Sequence, residues 1–575
     1  MSVVFRRRAV RMSQPVTTCH IHSSLVLWMW SEMPTDGAPG CLSDAMTGGP
    51  GVTRRAALRL AGTAGLALAT GCTATRPRHR LPEPTATGPS PTVAAPTGPV
   101  TSAVARPALD RLSTQLSSPL LRPGSAGYVA RVGLYDPRFD AVRRPVAIAA
   151  CRTPADVVAC VRAAADGGPP LHLRAGGHSY GGWSSGPGLV ADVRPMASGA
   201  VDRAAGTARI GAGTRLAEVY DALGRRGVAL AAGSCPSVGL TGLALGGGVG
   251  VLTRAFGLTC DAIRSVQLVT ADGVLREVGP SRDPDLFWAL RGGGGGSLGA
   301  VTALTVAVRP APTVHTFFLA WGGSSAAAVL SSWQAWMTGR DRRLWSTCKL
   351  LSAPARGSLR AVVAGTWLGD AAGLDAELSP LLRAVGPAPR SRSASTLGYA
   401  AAMQLEAGCP GRDPVSCLQH AHAPASRRPF AGSSVILRNP LPPAGVEAAV
   451  AGARRALEVA GIVEGGLSFD ALGGAVDDLR PTDTAFVHRG AIAIVQSTAT
   501  WARAGDDPFP YDTYVRGLRA VLVRWTGPAA YVNYADPSIR DYGRAYWGAN
   551  LERLSAVKRH YDPAALFTFP QAVPR

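Results

Sequence analysis

From residue 146 the chain alternates short apolar runs with periodic segments. VAIAACR (146–152) reads as a strand. Thr153-Pro154-Ala155-Asp156 opens a helix: Thr153 can cap it and Pro154 suits its first turn. That helix ends at Gly167. LHLRAG (171–176), LVADV (189–193) and TARIGAG (207–213) read as strands, and TRLAEVYDALGRRG (214–227) as an amphipathic helix closed by glycine. AIRSVQLVTADGVLREV (262–278) predicts a hairpin turning at Asp272-Gly273. A helix over Asp283–Leu290 precedes another strand, GAVTALTVAV (299–308). From about Pro310 to Gly527, apolar strands such as FFLAW, GSLRAVVAGTW, GSSVIL and AIAIVQSTATW alternate with alanine-rich helices. That pattern predicts a sheet with helices on one face, a second α+β domain.

Two glycine-dense loops interrupt the first region. RAGGHSYGGWSSGPG (174–188) carries His178, and GSCPSVGLTGLALGGGVG (233–250) carries Cys235. Glycine permits positive φ and lets backbone N–H groups approach an anionic ligand. A nucleophile in such a loop suggests a large, phosphate-bearing cofactor, bonded covalently. A third run, RGGGGGSLG, matches G-x-G-x-x-G at Gly294, Gly296 and Gly299. A dinucleotide fingerprint runs strand, turn, helix; here the helix comes first, so the run reads as a flavin-class phosphate loop. Gly177–Gly181 also fits G-x-S-x-G, but no helix can start well in the Gly-Gly-Trp-Ser-Ser-Gly-Pro-Gly that follows, which argues against a hydrolase elbow.

The two loops resemble those of the berberine-bridge-enzyme-like oxidases, within the vanillyl-alcohol-oxidase class of FAD flavoproteins. The C-terminal run YVNYADPSIRDYGRAYWGANLERLSAVKRHYDPAALFTFPQAVP (531–574) resembles that family's closing signature. The resemblance implies an α+β fold: a two-part PCMH-type FAD-binding domain over 120–310, a substrate domain with a large antiparallel sheet covered by helices over 311–528, and a segment 529–575 that returns to the FAD domain. It implies FAD tethered through His178 and Cys235. It assigns cofactor contacts to Arg174, Ala175, Gly176, Gly177 and Ser179, then Pro236, Val238, Gly239, Gly242, Gly246 and Gly247, and further to Gly296, Val301, Asn533 and Asn550. Hydride transfer to flavin N5 needs a base for the hydroxyl proton. The candidate is Tyr531, a phenol that neighbours must depress from its ordinary value of about 10. The alternative makes Tyr531 and Tyr534 core aromatics on one strand. Gln496 is expected to orient substrate and Tyr180 to lie beside the flavin ring. Plant relatives often carry tyrosine after the triple glycine; here Val249 follows Gly246-Gly247-Gly248, which puts a plant-like base arrangement in doubt. Val238 stands where the family borders its oxygen pocket, and valine there suits an oxidase.

Composition adds compartment and partners. The net charge is +21, but Lys349 and Lys558 are the only lysines and the arginines are scattered, so the charge argues for coding bias rather than a nucleic-acid partner. There is no C-x-x-C pair, which argues against a zinc ribbon. Cys409 and Cys417 flank a Pro/Gly loop and could bridge, as in an oxidising compartment; two unpaired thiols are the alternative. TRRAALR (53–59) and the apolar run after it form a twin-arginine signal, read by the export machinery that carries folded proteins. It ends at Cys72 in an approximate lipobox, a candidate membrane tether. Met46 begins a segment of ordinary signal proportions, so 1–45 reads as an upstream extension, 46–72 as the signal and 73–110 as a Pro/Thr-rich linker. The expectation is an exported oxidoreductase that passes a hydride from an alcohol, sugar or similar CH–OH donor to covalent FAD, with oxygen or another acceptor taking the electrons. A dehydrogenase, an oxidative-cyclisation enzyme and a tethered ligand-binding lipoprotein are the alternatives.

Overall fold

The computed structural model of the protein describes residues 102–423 and 426–575, with side chains from Arg106 on. The extension, the signal with Cys72 and most of the linker lie outside the described residues.

Strands β1 (Leu120–Leu121), β2 (Ala147–Ala150), β3 (Leu171–Arg174) and β4 (Leu189–Asp192) form a sheet in the order β1-β2-β4-β3. Both β2 and β3 run parallel to β4. All of β2 and β4 is buried, as expected of parallel strands covered on both faces. The helix Pro154–Ala165 makes the β2–β3 crossover behind a closed capping box: Thr153 accepts from the Asp156 N–H and Asp156 accepts from the Thr153 N–H. Parallel neighbours need a return crossover. Between β3 and β4 the glycine loop 175–188 supplies it without a helix. His178 thus leaves the carboxyl end of a parallel strand, where open α/β sheets bind ligands.

Next along the chain come β5 (Gly199–Asp202), β6 (Thr207–Gly211), β7 (Val228–Ala229), β8 (Ile263–Val269), β9 (Leu275–Val278), β10 (Ala300–Ala307) and β11 (Arg309–Pro310). Five of them form an antiparallel sheet, β5-β6-β10-β8-β9, while β7 and β11 pair as a ribbon. The β8–β9 hairpin turns at the expected Asp272-Gly273, with Gly273 at φ +71°. The third sheet contains β12 (Thr313–Gly322), β13 (Leu344–Ala353), β14 (Ser358–Trp367), β15 (Ser391–Gly398), β16 (Phe430–Leu437), β17 (Ile462–Ala471) and β18 (Ala493–Trp501), in the order β15-β12-β14-β13-β17-β18-β16. Every pairing in it is antiparallel. Helices Ala326–Met337, Pro443–Arg454 and Phe509–Thr526 pack on it, and Trp333 donates to Ser346 on their side. Side chains alternate along strands. The opposite face therefore carries Thr347 and Lys349, Ser468 and Asp470, Gln496 and Ser434 across four neighbouring strands.

Three sequence readings change. The linker ends sooner than 110, because Ser102–Gln115 is helical and buries Leu109 and Leu112, an i,i+3 pair that outweighs the Pro/Thr-rich composition. β13, β15 and β17 escaped the pattern: β13 is buried almost throughout, so its two faces carry no contrast, and β15 alternates in exposure but not in hydropathy. Tyr531 and Tyr534 lie on no strand, since Val532–Tyr534 is a short 3₁₀ turn. Cys409 and Cys417 are disulfide-bonded, as the loop between them suggested.

Candidate active site

The two nucleophile loops meet backbone to backbone. A Cβ on Gly176 would lie 2.2 Å from the Gly239 nitrogen, and one on Gly239 would lie 2.5 Å from the Gly176 nitrogen. Only glycine at both positions permits that approach. It sets His178 and Cys235 in the wall of one cavity of about 270 Å³. His178 Nε2 is 2.9 Å from Ser237 Oγ of the Cys235 loop, and its ring stacks on Tyr135 at 3.8 Å. Cys235 is a half-buried thiol.

The polyglycine run forms a third wall. Gly292, Gly294, Gly296 and Gly299 all have φ between +82° and +155°, so the chain bends repeatedly between the helix Pro284–Ala289 and β10. The C-terminal segment supplies the fourth wall: Tyr531, Asn533, Tyr534, Phe569 and Gln571 line the cavity. It is fastened by Lys558, which is 1% exposed and donates to Ser297 O and Phe567 O at 2.7 Å and to Asp562. Phe569 stacks on Trp183 of the His178 loop.

Most of the expected cofactor contacts line this cavity: Arg174, Ala175, Gly176, Gly177, His178, Ser179, Cys235, Val238, Gly239, Gly242, Gly296, Val301 and Asn533. Pro236, Gly246, Gly247 and Asn550 stand behind the lining. Gly246 is packed against Asn533 and Gly247 against Tyr531 and Phe486. Pro236 presents its carbonyl to the Ala217 N–H. The Asn550 amide is spent on the carbonyls of Pro481 and Thr484. The sequence reading missed the aromatic lining from Tyr135, Trp183, Phe430 and Phe569; these residues sit in four distant segments, and only folding collects them.

Three phenols close one end. Tyr531 is 2% exposed, and its oxygen accepts from the Gly248 N–H and the Asn533 amide, each at 2.8 Å. Tyr180 accepts from the Gln496 amide and stacks on Tyr534 at 5.6 Å. Gln496 thus lies one layer behind the cavity. The Tyr534 hydroxyl stands 3.5 Å from Asp470 Oδ2, and Asp470 also accepts from Thr347 and Ser468. The expected depression of Tyr531 is not found. Burial holds its phenol above the ordinary value, outweighing the Gly248 and Asn533 donors. Burial raises Tyr180 and Tyr534 too, and the Asp470 charge adds to the rise at Tyr534.

These walls fit a dinucleotide. Gly176, Gly239, Gly294 and Gly296 line them with bare backbone, and glycine lets N–H groups approach an anionic ligand. Gly242 faces open space in the cavity, with nothing within 4 Å of an added Cβ.

Comparison with known proteins agrees. Residues 145–279 match the FAD binding domain family, and 530–574 match the family described as berberine and berberine like. An uncharacterized FAD-linked oxidoreductase of Bacillus subtilis is 34% identical over 437 residues, covering 75% of this chain and 92% of its own. A chitooligosaccharide oxidase of Gibberella zeae is 31% identical over 488 residues, covering 81% and 94%. The structure of Physcomitrella patens BBE-like 1 superposes with a TM-score of 0.74 at 29% identity, covering 81% of this chain and 99% of that one. The protein is an FAD-dependent oxidoreductase, and its chain belongs to the berberine-bridge-enzyme-like family.

Proposed function

We propose that the protein is an exported oxidase whose FAD is bonded to both His178 and Cys235. The observation that carries the reading is the Gly176–Gly239 contact, which puts both side chains in one cavity wall. Bound there, the flavin supplies a hydride acceptor. The chain's own residues hold the cofactor, order the donor and move the hydroxyl proton. Tyr534, with Asp470, is a better proton acceptor than Tyr531. The Tyr531 oxygen already takes two N–H donors and braces the glycine loop. Tyr534 points its hydroxyl at a carboxylate. As the phenol oxygen takes the substrate proton, its own proton passes to Asp470, so a raised phenol value is no obstacle. Gln496 holds Tyr180, and Tyr180 stacks on Tyr534, which fixes the phenol's angle. Val238 in the lining supports oxygen as acceptor. The disulfide and the twin-arginine signature support export, and Cys72 remains the candidate lipid anchor. Among the described residues no helix is long and apolar enough to cross a membrane.

Acid precipitation of the purified protein tests the attachment. Flavin absorbance is expected in the pellet for wild type and for either single variant, His178→Ala or Cys235→Ala. It is expected in the supernatant for the double variant. Flavin released from wild type by acid would leave a non-covalent enzyme, and a folded protein purified without flavin would restore the ligand-binding alternative. For the donor, anaerobic flavin bleaching is measured with a chitooligosaccharide, a 6-hydroxynicotine and a monolignol, the compounds named for three relatives. Readmitted oxygen should restore the colour with release of hydrogen peroxide.

A further inference from the structure

Behind the phenols, the polar face of the seven-stranded sheet carries charge that the reaction above does not use. Lys349 is 1% exposed in the middle of β13. In register it stands opposite Ser468 of β17, while Thr347 stands opposite Asp470. Lys349 and Asp470 are therefore diagonal neighbours on one face, a spacing that long side chains cross. Asp470 divides its two oxygens: Oδ1 accepts from Thr347 at 3.0 Å and from Ser468 at 2.9 Å, and Oδ2 faces Tyr534. The charged groups around Lys349 are Asp470 and Glu464 of β17 and Glu406 at the end of the helix Tyr399–Glu406. Arg360 of β14 works against Glu464. Burial pushes the Lys349 ammonium down to about 8, with these three carboxyl groups opposing, and pushes Glu406 up to about 7, with Lys349 opposing. A buried ammonium needs counter-charge. Of the three candidates, Asp470 is the one that also reaches a phenol of the cavity wall.

We propose that Lys349 is a positioning residue for the proton-accepting pair: its ammonium is the counter-charge that holds the Asp470 side chain at the Tyr534 hydroxyl. The inference rests on the reading of Tyr534 and Asp470 given above. It makes the two lysines of this chain unlike in task. Lys558 is tied to the carbonyls of Ser297 and Phe567 and to the Asp562 carboxylate, whereas Lys349 acts through a carboxylate that faces a phenol of the cavity wall.

Infrared titration of the flavin-loaded full-length protein tests this without a substrate. The carboxylic-acid band lost in Asp470→Asn identifies the group. In Lys349→Met that band is expected to appear at a pH about one unit higher than in wild type, the size of effect that loss of a nearby opposite charge produces. Lys349→Arg should bring the midpoint back. A midpoint unchanged in Lys349→Met overturns the proposal, even where the melting temperature falls, because a purely structural lysine would lower stability and leave the titration in place. Lys349→Met strands Glu406, so Lys349→Met/Glu406→Gln is measured beside it. The same upward move is expected there, and an unmoved midpoint overturns the proposal equally. Failure of the underlying reading shows separately: Tyr534→Phe would then reduce its flavin as fast as wild type, whatever the infrared midpoint does.

Discussion

Tyr531 and Tyr534 stand three residues apart with rings 5.0 Å from each other, yet their oxygens meet opposite chemistry. One accepts from N–H groups and the other faces a carboxylate. A group that only receives hydrogen bonds braces a loop, whereas a group set between substrate and carboxylate can hand a proton on. Tyr534→Phe should therefore slow anaerobic flavin reduction by at least about 10²-fold, with KM little changed. Asp470→Asn should do the same, since the amide cannot take the phenol's proton. Tyr531→Phe should cost less in rate and more in flavin content, because it releases the Gly248 N–H and the Asn533 amide. Stopped-flow bleaching of the flavin together with the flavin-to-protein ratio separates the two patterns. Equal rate losses in Tyr531→Phe and Tyr534→Phe would defeat the division of roles.

The glycine loops make the same kind of argument for whole elements. Gly176 and Gly242 both line the cavity, yet an alanine methyl would meet different things at each. At Gly176 it would strike the backbone of the Cys235 loop at 2.2 Å, and no rotamer change can relieve a backbone clash. At Gly242, inside the helix Leu240–Leu245, it would meet no protein atom, and alanine is the better helix former by about 0.5–1 kcal/mol. Gly176→Ala should therefore lower the melting temperature and abolish flavin incorporation. Gly242→Ala should leave the protein without flavin as stable as wild type while flavin content falls, because the methyl occupies ligand space. Differential scanning calorimetry and an absorbance ratio decide between these outcomes, and normal flavin content in Gly242→Ala would remove that helix from the binding surface. The sequence showed these loops clearly, since glycine density and a nucleophile are both local. It also showed the helix Pro154–Ala165 and the hairpin at Gly273, whose signals lie within a few residues. It did not show β13 or β17, whose partners are more than a hundred residues away for the Thr347–Asp470 contact, and with them it hid Asp470 and Lys349. Asn550 misled for the same reason: its asparagine sits in a family-like segment, but its amide is committed to carbonyls at 481 and 484.

At the scale of the molecule, the cavity is assembled from stretches near residues 174, 235, 294, 531 and 569, so no contiguous part of the chain can hold the cofactor alone. The last stretch closes it. Thr568, Phe569 and Gln571 reach the cavity only because the chain turns back after the helix Leu551–Tyr561, and that turn is built on Lys558 and Asp562. Asp562 accepts from the N–H groups of Leu566 and Phe567 while it pairs with Lys558, and Lys558 reaches across to Ser297 in the polyglycine loop. A buried pair of this kind contributes little net stability while intact, but removing one partner costs about 3–5 kcal/mol because the other charge is stranded. Lys558→Met should thus release the tail from the polyglycine loop and open the wall that Phe569 shares with Trp183. The expected outcome is a purified protein low in flavin, with a lowered melting temperature and a tail newly open to carboxypeptidase. Removing both charges with Lys558→Met/Asp562→Asn keeps one of the two oxygens that accept from Leu566 and Phe567 and should recover part of the stability. It should not recover the flavin, because the link to Ser297 is still missing. If the double variant regains stability and flavin together, the lysine matters only as a counter-charge. If stability returns without flavin, the tether between the tail and the polyglycine loop is what keeps the cofactor in place.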